Sequence, residues 1–156
     1  MSNLTPLIDD FDKKILQELV EDAKKPYSKI AKELGISNTM VHQRIIRMKE
    51  LGILQKTTIQ LDEKKLGFDW GAFTGLVLKN DSDSKEIIKT LKKIPEVVEC
   101  YYITGSYTLF IRIVAKDNEH MRKILYDQID HIEGIAKTES IIDFGHAFRR
   151  NIPFWL

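Results

Sequence analysis

The sequence predicts an α+β protein, with a helical N-terminal third followed by a ferredoxin-like β-α-β-β-α-β unit. Three observations support this fold class. Before residue 52, apolar residues recur at helical spacing, every three or four positions. After residue 70, four short runs have the composition of strands. Two helical segments separate these runs in the order that a ferredoxin-like unit requires.

The bulk composition is that of a globular protein. The chain has 156 residues, of which 43% are hydrophobic and 30% are charged. No apolar run approaches the roughly 20 residues that cross a bilayer, and the N-terminal MSNLTPLIDD lacks the pattern of a signal peptide. The single cysteine, Cys100, cannot form an internal disulfide, which suits a reducing compartment. We therefore expect a cytoplasmic protein without membrane contact.

Two helices are predicted before residue 36. Asp9 or Asp10 can cap the first, FDKKILQELVED, whose helical spacing is carried by Phe11, Ile15, Leu16, Leu19 and Val20. Pro26 fits the loop before a second helix at 28–34. Gly35 follows at a position where helices commonly end in a left-handed residue. The inward residues of the second helix are Ile30, Ala31 and Leu34.

A third helix follows after a turn of four residues. Ser37 can cap it, and it runs from Asn38 to about Leu51. The small Ala31 allows the second and third helices to cross closely. Three helices with such a turn indicate a helix-turn-helix motif. The inward stripe of the third helix comprises Val41, Ile45, Met48 and Leu51, and the next segment, ILQKTTIQL, reads as a strand or an extended segment.

Charge is concentrated in the same region. Between Lys24 and Lys56 there are eight basic and two acidic residues, whereas residues 63–156 contain 14 of each. A basic segment in a neutral chain is typical of a protein that binds a polyanion. A helix with these outward polar residues fits the major groove of DNA. The predicted DNA-binding residues are Tyr27, Ser28, Lys29, Ser37, Asn38, Thr39, His42, Gln43, Arg44, Arg47 and Lys56.

These residues have different expected roles. Asn38 and Gln43 can read adenine, and Arg47 can hold guanine or a phosphate. Arg44 borders the inward stripe, so we expect it to brace the helix or to grip the DNA backbone. Contacts with phosphates are assigned to Tyr27, Lys29 and Lys56. The alternative is a small helical bundle with an ordinary polar surface.

The second part of the chain begins after a predicted hinge at 61–70. The domain boundaries are therefore 1–60 for the helical domain and 71–156 for the sheet domain. The expected elements are a strand at 72–79, a helix at 85–94 ended by Pro95, hairpin strands at 97–103 and 107–115, a helix at 118–132 and a strand at 135–144.

The predicted hairpin is apolar on both faces. In VVECYYI we place Val97, Tyr101 and Ile103 on one face and Val98, Cys100 and Tyr102 on the other, and Phe110 in the next strand lies opposite Leu109 and Ile111. Both helices of this fold cover the same face, so the other face needs a second layer. A second copy of the chain supplies one by two-fold symmetry. We expect a homodimer that presents two helix-turn-helix motifs, which we call readers, to a roughly palindromic DNA site. The alternative is cover by the linker or the C-terminal tail.

Several motifs together resemble the Lrp/AsnC family, the leucine-responsive and asparagine-responsive (feast/famine) transcription regulators. They are IDDFDKKIL, IAKELGIS with VHQRIIRMKELGIL, and GSYTLFI. The resemblance implies an N-terminal winged helix-turn-helix and a C-terminal ligand-sensing domain. It also implies dimers that assemble further, often to octamers, and regulation by an amino acid bound between dimers.

The resemblance also points to an effector loop. The family commonly reads G-D-[FY]-D there, and this chain has Gly105-Ser106-Tyr107-Thr108, without either carboxylate. The family's T-x-T on the last strand corresponds to Thr138-Glu139-Ser140, where Glu139 can supply the missing charge. The effector residues implied are Thr104, Gly105, Ser106, Tyr107, Thr108, Thr138, Glu139 and Ser140. The implied effector is a small molecule such as an amino acid.

Catalysis has little support in the sequence. The histidines, His42, His120, His131 and His146, lack metal-ligand spacing, and no phosphate loop or nucleophile elbow is present. We expect no metal, no cofactor and no enzyme. Two alternatives remain: an architectural DNA-wrapping protein, and a sirohaem decarboxylase, a class with a similar two-domain fold. The tail HAFRRNIPFWL has residue types that suit an anionic tetrapyrrole.

Overall fold

A computed structural model describes residues 7–155 of the chain. These residues form two compact units. The helical unit comprises the chain up to Gln60 together with the C-terminal segment from Arg149, and the sheet unit comprises Leu61–Phe148. The sequence prediction grouped the tail with the sheet, whereas Phe154 packs against the core of the helical unit. None of the described helices is long and apolar enough to cross a membrane.

The helical unit contains three helices, α1 (Asp10–Glu21), α2 (Tyr27–Leu34) and α3 (Asn38–Glu50). Asp9 caps α1 in a capping box, because its side chain accepts from the N–H of Asp12 and the Asp12 side chain accepts from the N–H of Asp9. Gly35 has φ 66°, the left-handed conformation expected between α2 and α3. The core comprises Ile15, Leu16, Ile30, Ala31, Val41, Ile45 and Met48.

Three residues of the predicted apolar stripes are exposed instead. Leu51 is 44% exposed because α3 ends at Glu50, and the left-handed Gly52 turns the chain there. The N–H groups of Ile53 and Leu54 then bond to the carbonyl of Met48, and these two residues pack on the core in its place. Exposed apolar side chains on α1 are Phe11 and Val20.

The segment after α3 does not form a strand. Within the described chain, no residue from Ile53 to Asp62 belongs to a sheet. A strand needs a neighbour that satisfies its backbone N–H and C=O groups. ILQKTTIQL finds no such neighbour in the described part of this chain, so it is an irregular segment here, and the wing that the family resemblance implied is not formed.

The sheet unit has the predicted order of elements. Its elements are β1 (Trp70–Leu78), α4 (Ser84–Leu91), β2 (Val97–Tyr102), β3 (Leu109–Ala115), α5 (Asn118–Arg122) and β4 (Ile135–Asp143). The sheet is antiparallel with the order β2-β3-β1-β4. The helix predicted at 118–132 changes its winding after Arg122 and continues as a π-helix, Lys123–Ile129.

The two faces of the sheet differ. The face toward α4 and α5 contributes the buried residues Ala72, Leu76, Leu109, Ile111 and Ile113 to the core. We call the opposite side the open face; it carries Phe73, Tyr101, Phe110 and Ile141. Tyr101 and Ile141 are exposed, and the rings of Phe73 and Phe110 stack with centroids 5.8 Å apart.

An irregularity in β2 corrects one prediction about these faces. The register with β3 shifts between Val97 and Glu99. Val97 therefore packs with the buried core, while Tyr101 pairs with Phe110 on the open face. The sequence analysis had placed Val97 and Tyr101 on one face, because strict alternation does not allow for an extra residue.

Candidate functional site

The exposed side of α3 carries a row of polar side chains at its N-terminal half. Asn38, Thr39, His42 and Gln43 are all exposed. The N-terminus of the helix is fixed by Ser37, whose Oγ accepts from the N–H of Met40 at 3.1 Å. The Ser37 hydroxyl therefore has a structural role as a cap. The geometry gives a helix end whose first two turns present amide, hydroxyl and imidazole groups outward.

The N-terminus of α2 lies beside this row. The rings of Tyr27 and His42 meet edge to face with centroids 5.1 Å apart. Ser28 and Lys29 are exposed next to Tyr27, and the N-cap Pro26 supplies no side-chain cap to the first N–H groups of α2. An uncapped helix start with an exposed lysine suits a phosphate.

Two apolar residues also lie on the exposed side of α3. Ile46 is 47% exposed and Met40 is 40% exposed. The sequence analysis did not select them, although both fall outside the stripe formed by Val41, Ile45 and Met48. That offset was the available indication that they face outward. Lys56 is exposed in the irregular segment beyond the helix.

Arg44 and Arg47 are placed differently from the polar row, because both bind carboxylates of the α1 N-terminus. Arg44 Nη1 donates to Asp9 Oδ2 at 2.7 Å and to Asp12 Oδ1 at 2.9 Å. Arg47 Nη1 donates to Asp12 Oδ2 at 3.2 Å, and its Nη2 donates to the carbonyl of Leu7 at 3.1 Å. Asp12 is fully buried. We call Asp9, Asp12, Arg44 and Arg47 the reader clasp.

The clasp shifts the pKa of two of its members. The hydrogen bonds that Arg44 donates to Asp9 and then to Asp12 raise the pKa of Arg44. The pKa of Asp9 lies below its ordinary value, mainly because of the backbone N–H of Asp12 and then the hydrogen bond from Arg44. Arg44 therefore braces α3 against α1, one of the two roles expected for it.

A third cation of the basic segment is also paired. Lys25 binds both Glu18 and Glu33, the latter at 2.5 Å, and these hydrogen bonds raise its pKa to about 12. Three of the eight cations counted from the sequence are thus neutralised by nearby carboxylates. Within residues 7–155, no salt bridge is found for Lys24, Lys29, Lys32, Lys49 and Lys56.

The predicted effector loop lies at one end of the open face. Gly105 has φ 108°, which permits the turn, and Thr104, Ser106 and Thr108 are exposed. The ring of Tyr107 lies directly on β1 at Gly75, where an added Cβ would be only 2.6 Å from the ring. A hydrogen bond with Glu139 raises the pKa of Tyr107. Tyr107 and Glu139 are therefore brought together on the open face.

The two hydroxyl residues of β4 point the other way. Thr138 Oγ1 donates to Asp130 Oδ1 at 2.8 Å, and the Ser140 hydroxyl lies 2.8 Å from that of Thr74, which is fully buried. Alternation along β4 puts both side chains on the helix side of the sheet, opposite Glu139. The predicted effector residues thus divide between two faces of the sheet.

A second arginine cluster was not foreseen. Arg112 on β3 donates from Nη1 to Glu63 Oε1 at 2.8 Å and from Nη2 to Glu63 Oε2 at 2.6 Å. Its Nη2 also lies 3.6 Å from Asp143 Oδ2. The hydrogen bond with Glu63 is the main reason that the pKa of Arg112 is raised. Glu63 lies in the predicted hinge, so this part of the hinge is fixed to the sheet. We call Glu63, Arg112 and Asp143 the sheet clasp.

Metal-binding side chains do not cluster. Within residues 7–155, no group of three or more His, Cys, Asp or Glu side chains is placed to hold a metal ion.

Comparison with known sequences identifies both parts of the chain. An AsnC-type helix-turn-helix domain matches residues 8–49, and the Lrp/AsnC ligand binding domain matches residues 71–150. "Regulatory protein AsnC" of Haemophilus influenzae is 37% identical over 145 residues, which is 93% of this chain and 97% of that protein. "Regulatory protein AsnC" of Escherichia coli K12 is 34% identical, covering 94% and 96%.

Solved structures agree with the sequence relatives. The structure of E. coli AsnC superposes with a TM-score of 0.87 at 34% identity and covers 93% of this chain and 97% of that one. A transcriptional regulator from Neisseria meningitidis, solved as a complex with L-Met, has the same fold with a TM-score of 0.87 at 19% identity, covering 94% and 97%.

The fold and these matches define a transcriptional regulator that joins a DNA-binding helix-turn-helix domain to a ligand-binding domain. Its relatives are named as regulators, and it is a regulator rather than an enzyme. The chain belongs to the Lrp/AsnC family.

Proposed function

We propose that the exposed row of α3 reads base pairs in the major groove and that α2 positions it on the DNA backbone. The observation that carries this proposal is the continuous polar surface formed by Asn38, Thr39, His42 and Gln43, joined to α2 by the contact between Tyr27 and His42. N-terminal residues of a recognition helix are those nearest the base edges.

The residues divide by chemistry. The amides of Asn38 and Gln43 match the donor and acceptor pair of adenine, and Ile46 suits contact with a thymine methyl group. Lys29, Ser28 and the first N–H groups of α2 suit phosphates, as does Lys56. Because the reader clasp binds their guanidinium groups, Arg44 and Arg47 are left out of the proposed contacts.

A pair of variants tests this division on a duplex selected from a randomised library. Gln43→Ala should weaken binding by about 1–3 kcal/mol and relax the preference at one base pair. Lys29→Ala should weaken binding to the selected and scrambled duplexes alike and reduce the salt slope by about 1. Lys89→Ala, an equal charge change on α4, is the control. If Lys29→Ala and Lys89→Ala behave alike, the assignment of α2 to the DNA backbone is wrong.

We also propose a homodimer formed through the open face of the sheet. Phe73, Phe110, Tyr101 and Ile141 form an apolar surface on the open face, where Tyr101 is 49% exposed and Ile141 is 61% exposed. A two-fold partner would bury this surface and pair the two readers for a roughly palindromic site, and further assembly of dimers, up to octamers, is part of the proposal.

Light scattering tests the dimer. Phe110→Glu should give monomers, because association would bury an unpaired charge. Val20→Glu, at an exposed apolar position of α1, should leave the assembly unchanged. A Phe110→Glu protein with native mass and an intact melting transition would contradict the proposal.

An amino acid is the effector that we propose. The match to a ligand-binding domain covers the effector loop, and Glu139 offers a carboxylate to a cationic amino group beside the Tyr107 ring. A thermal-shift screen with free amino acids should find one that raises the melting temperature of the wild type. Glu139→Gln should lose most of that shift, whereas Glu133→Gln should keep it. Absence of any shift would refute this effector class.

We place the protein in the cytoplasm, where a regulator meets its DNA. An architectural DNA-wrapping role is the second candidate, and the same binding data distinguish it. Specific regulators favour their own sites by orders of magnitude over other DNA, whereas a wrapping protein would bind the selected and scrambled duplexes equally.

A further inference from the structure

The reader clasp binds two cations of α3, Arg44 and Arg47, to carboxylates, which makes them less available to DNA phosphates. Arg44 and Arg47 share the carboxylate of Asp12, one on each oxygen. The side chain of Asp12 has no solvent exposure, and that of Arg44 is 23% exposed. Arg47 is 53% exposed, so solvent and DNA can reach part of its side chain.

Binding to the carboxylates of the clasp is expected to be lower in free energy for these arginines than binding to a DNA phosphate. An arginine that moved to DNA would leave Asp12 with one partner fewer, and loss of both arginines would leave a buried, uncompensated charge. Removal of both partners from a buried charge costs several kcal/mol, whereas removal of one of the two costs less. A phosphate contact mainly exchanges counterions and gains far less at physiological salt. We therefore expect the clasp to persist when the protein binds DNA.

The capping box makes Asp12 part of a rigid element. Its carboxylate accepts from the N–H of Asp9, while the Asp9 side chain accepts from the N–H of Asp12. Asp9 then adds a second carboxylate to Arg44. The Nε of Arg44 is buried without a hydrogen-bond partner in the described structure, so the clasp leaves one donor of this arginine unused.

We propose that Asp12, with Asp9, is a specificity-determining residue that lowers the non-specific affinity of the reader for DNA. It does so by neutralising Arg44 and Arg47, which would otherwise attract phosphates of any sequence. Specificity is the ratio of specific to non-specific binding, so a lower background raises it even though Asp12 touches no base. This inference rests on the proposed reading of DNA by α3.

The test measures binding to a scrambled duplex over a range of salt concentrations. Asp12→Asn keeps the shape and a cap acceptor but removes the charge. It should raise affinity for the scrambled duplex about tenfold at low salt and steepen the salt slope by about 1, because Arg47 loses its carboxylate partner while Arg44 keeps Asp9. Asp10→Asn is the matched control. It removes the same charge two residues away on α1, and Asp10 forms no salt bridge within the described residues.

Arg47→Gln shows whether a steeper salt slope in Asp12→Asn comes from a released Arg47 or from the loss of negative charge in general. In the wild-type background it should leave the salt slope nearly unchanged, because the guanidinium is held by Asp12. In the Asp12→Asn background it should remove most of the added slope, because Arg44 stays paired with Asp9. If Arg47→Gln alone lowers the slope by about 1, Arg47 already contacts a phosphate and the inference is wrong.

Circular dichroism and melting curves decide whether Asp12→Asn folds. If it does not, Asp9→Asn replaces it, because Asp9 is half exposed and asparagine is also a good N-cap. Asp9→Asn should then change the slope in the same direction by a smaller amount. An unchanged slope in a folded variant overturns the inference. Failure of the wild type to prefer its selected duplex would instead refute the proposed reading of DNA.

Discussion

The helical unit and the sheet unit each contain a clasp of arginine and aspartate or glutamate, but the member shared by the other charges has the opposite sign in the two clasps. In the helical unit, the fully buried Asp12 is shared by two arginines that are more exposed. In the sheet unit, Arg112 is 13% exposed and is shared by Glu63 and Asp143.

The difference shows that the net charge of a segment does not give the field at its surface. The sequence assigns six more cations than anions to residues 24–56, yet α1 brings carboxylates from outside that segment against α3. In the sheet unit, an apparently free hinge contributes Glu63 to a partly buried pair with Arg112. In both units the pairing controls which charges remain available for a partner.

The largest effect is expected from removing the buried arginine of the sheet clasp. Arg112→Gln leaves two carboxylates near each other and should lower the free energy of unfolding by about 2–3 kcal/mol; the half-exposed Glu63 reduces the cost below that of a fully buried pair. Arg122→Gln breaks an exposed pair with Glu119 and should cost less than about 1 kcal/mol. Urea denaturation measures both. Equal losses would show that burial of Arg112 contributes nothing.

Two glycines extend the comparison from charges to the backbone. Gly75→Ala should cost about 1–3 kcal/mol, because the new methyl group would overlap the Tyr107 ring, and it should return the pKa of Tyr107 toward its ordinary value by separating it from Glu139. Gly35→Ala meets no atom within 4 Å and should cost about 1 kcal/mol through its positive φ alone. Melting curves and NMR titration of Tyr107 check these values. A Tyr107 pKa that does not move would contradict the close packing.

The two arginines of the reader clasp should differ in how much they contribute to the free energy of unfolding. Arg44→Gln should destabilise the helical unit by about 1–2 kcal/mol, since this arginine is largely buried and bridges Asp9 and Asp12. Arg47→Gln should cost less than about 1 kcal/mol, because its side chain is half exposed and Asp12 keeps Arg44. Denaturation of the two variants gives the order, and a reversed order would contradict the described clasp.

The smallest expected effect is the loss of stability at low pH when the Asp9 carboxylate is protonated. The pKa of Asp9 is lowered in the folded protein, so its contribution to stability is complete above the ordinary value of 3.8 and is lost as the pH falls through the lowered pKa. NMR titration of the Asp9 carboxyl should give a value below 3.8 in the wild type. Arg44→Gln should move it partly back, with the remainder due to the Asp12 N–H. A carboxyl that titrates normally in both proteins would refute the assigned cause.

Much of the fold follows from local patterns in the sequence. The caps at Asp9 and Ser37, the left-handed Gly35 and the order of strands and helices depend on residues within a few positions of one another, and the structure has all of them. The departures lie where local rules have exceptions. The irregularity after Val97 and the π-helix after Arg122 each change the phase of a regular repeat.

The candidate site divides in the same way. The exposed row of α3 could be read from spacing, because the positions outside an inward stripe must face solvent. The placement of Tyr107 on Gly75, and the hydrogen bond of Tyr107 with Glu139, could not be read because they require the register of β1 with both β3 and β4. Strand register depends on pairing across the sheet rather than on either strand alone.

The sequence alone determined the family, the three-helix reader and the βαββαβ unit, because periodicity, caps and turn residues act over short stretches of chain. Only the tertiary structure decided which charges are free. The arginines of α3 meet Asp12 across 32 and 35 residues of sequence, and Arg112 meets Glu63 across 49. Such ion pairs depend on positions in space that no local pattern specifies, and their strength depends on burial, which exists only once the elements have packed.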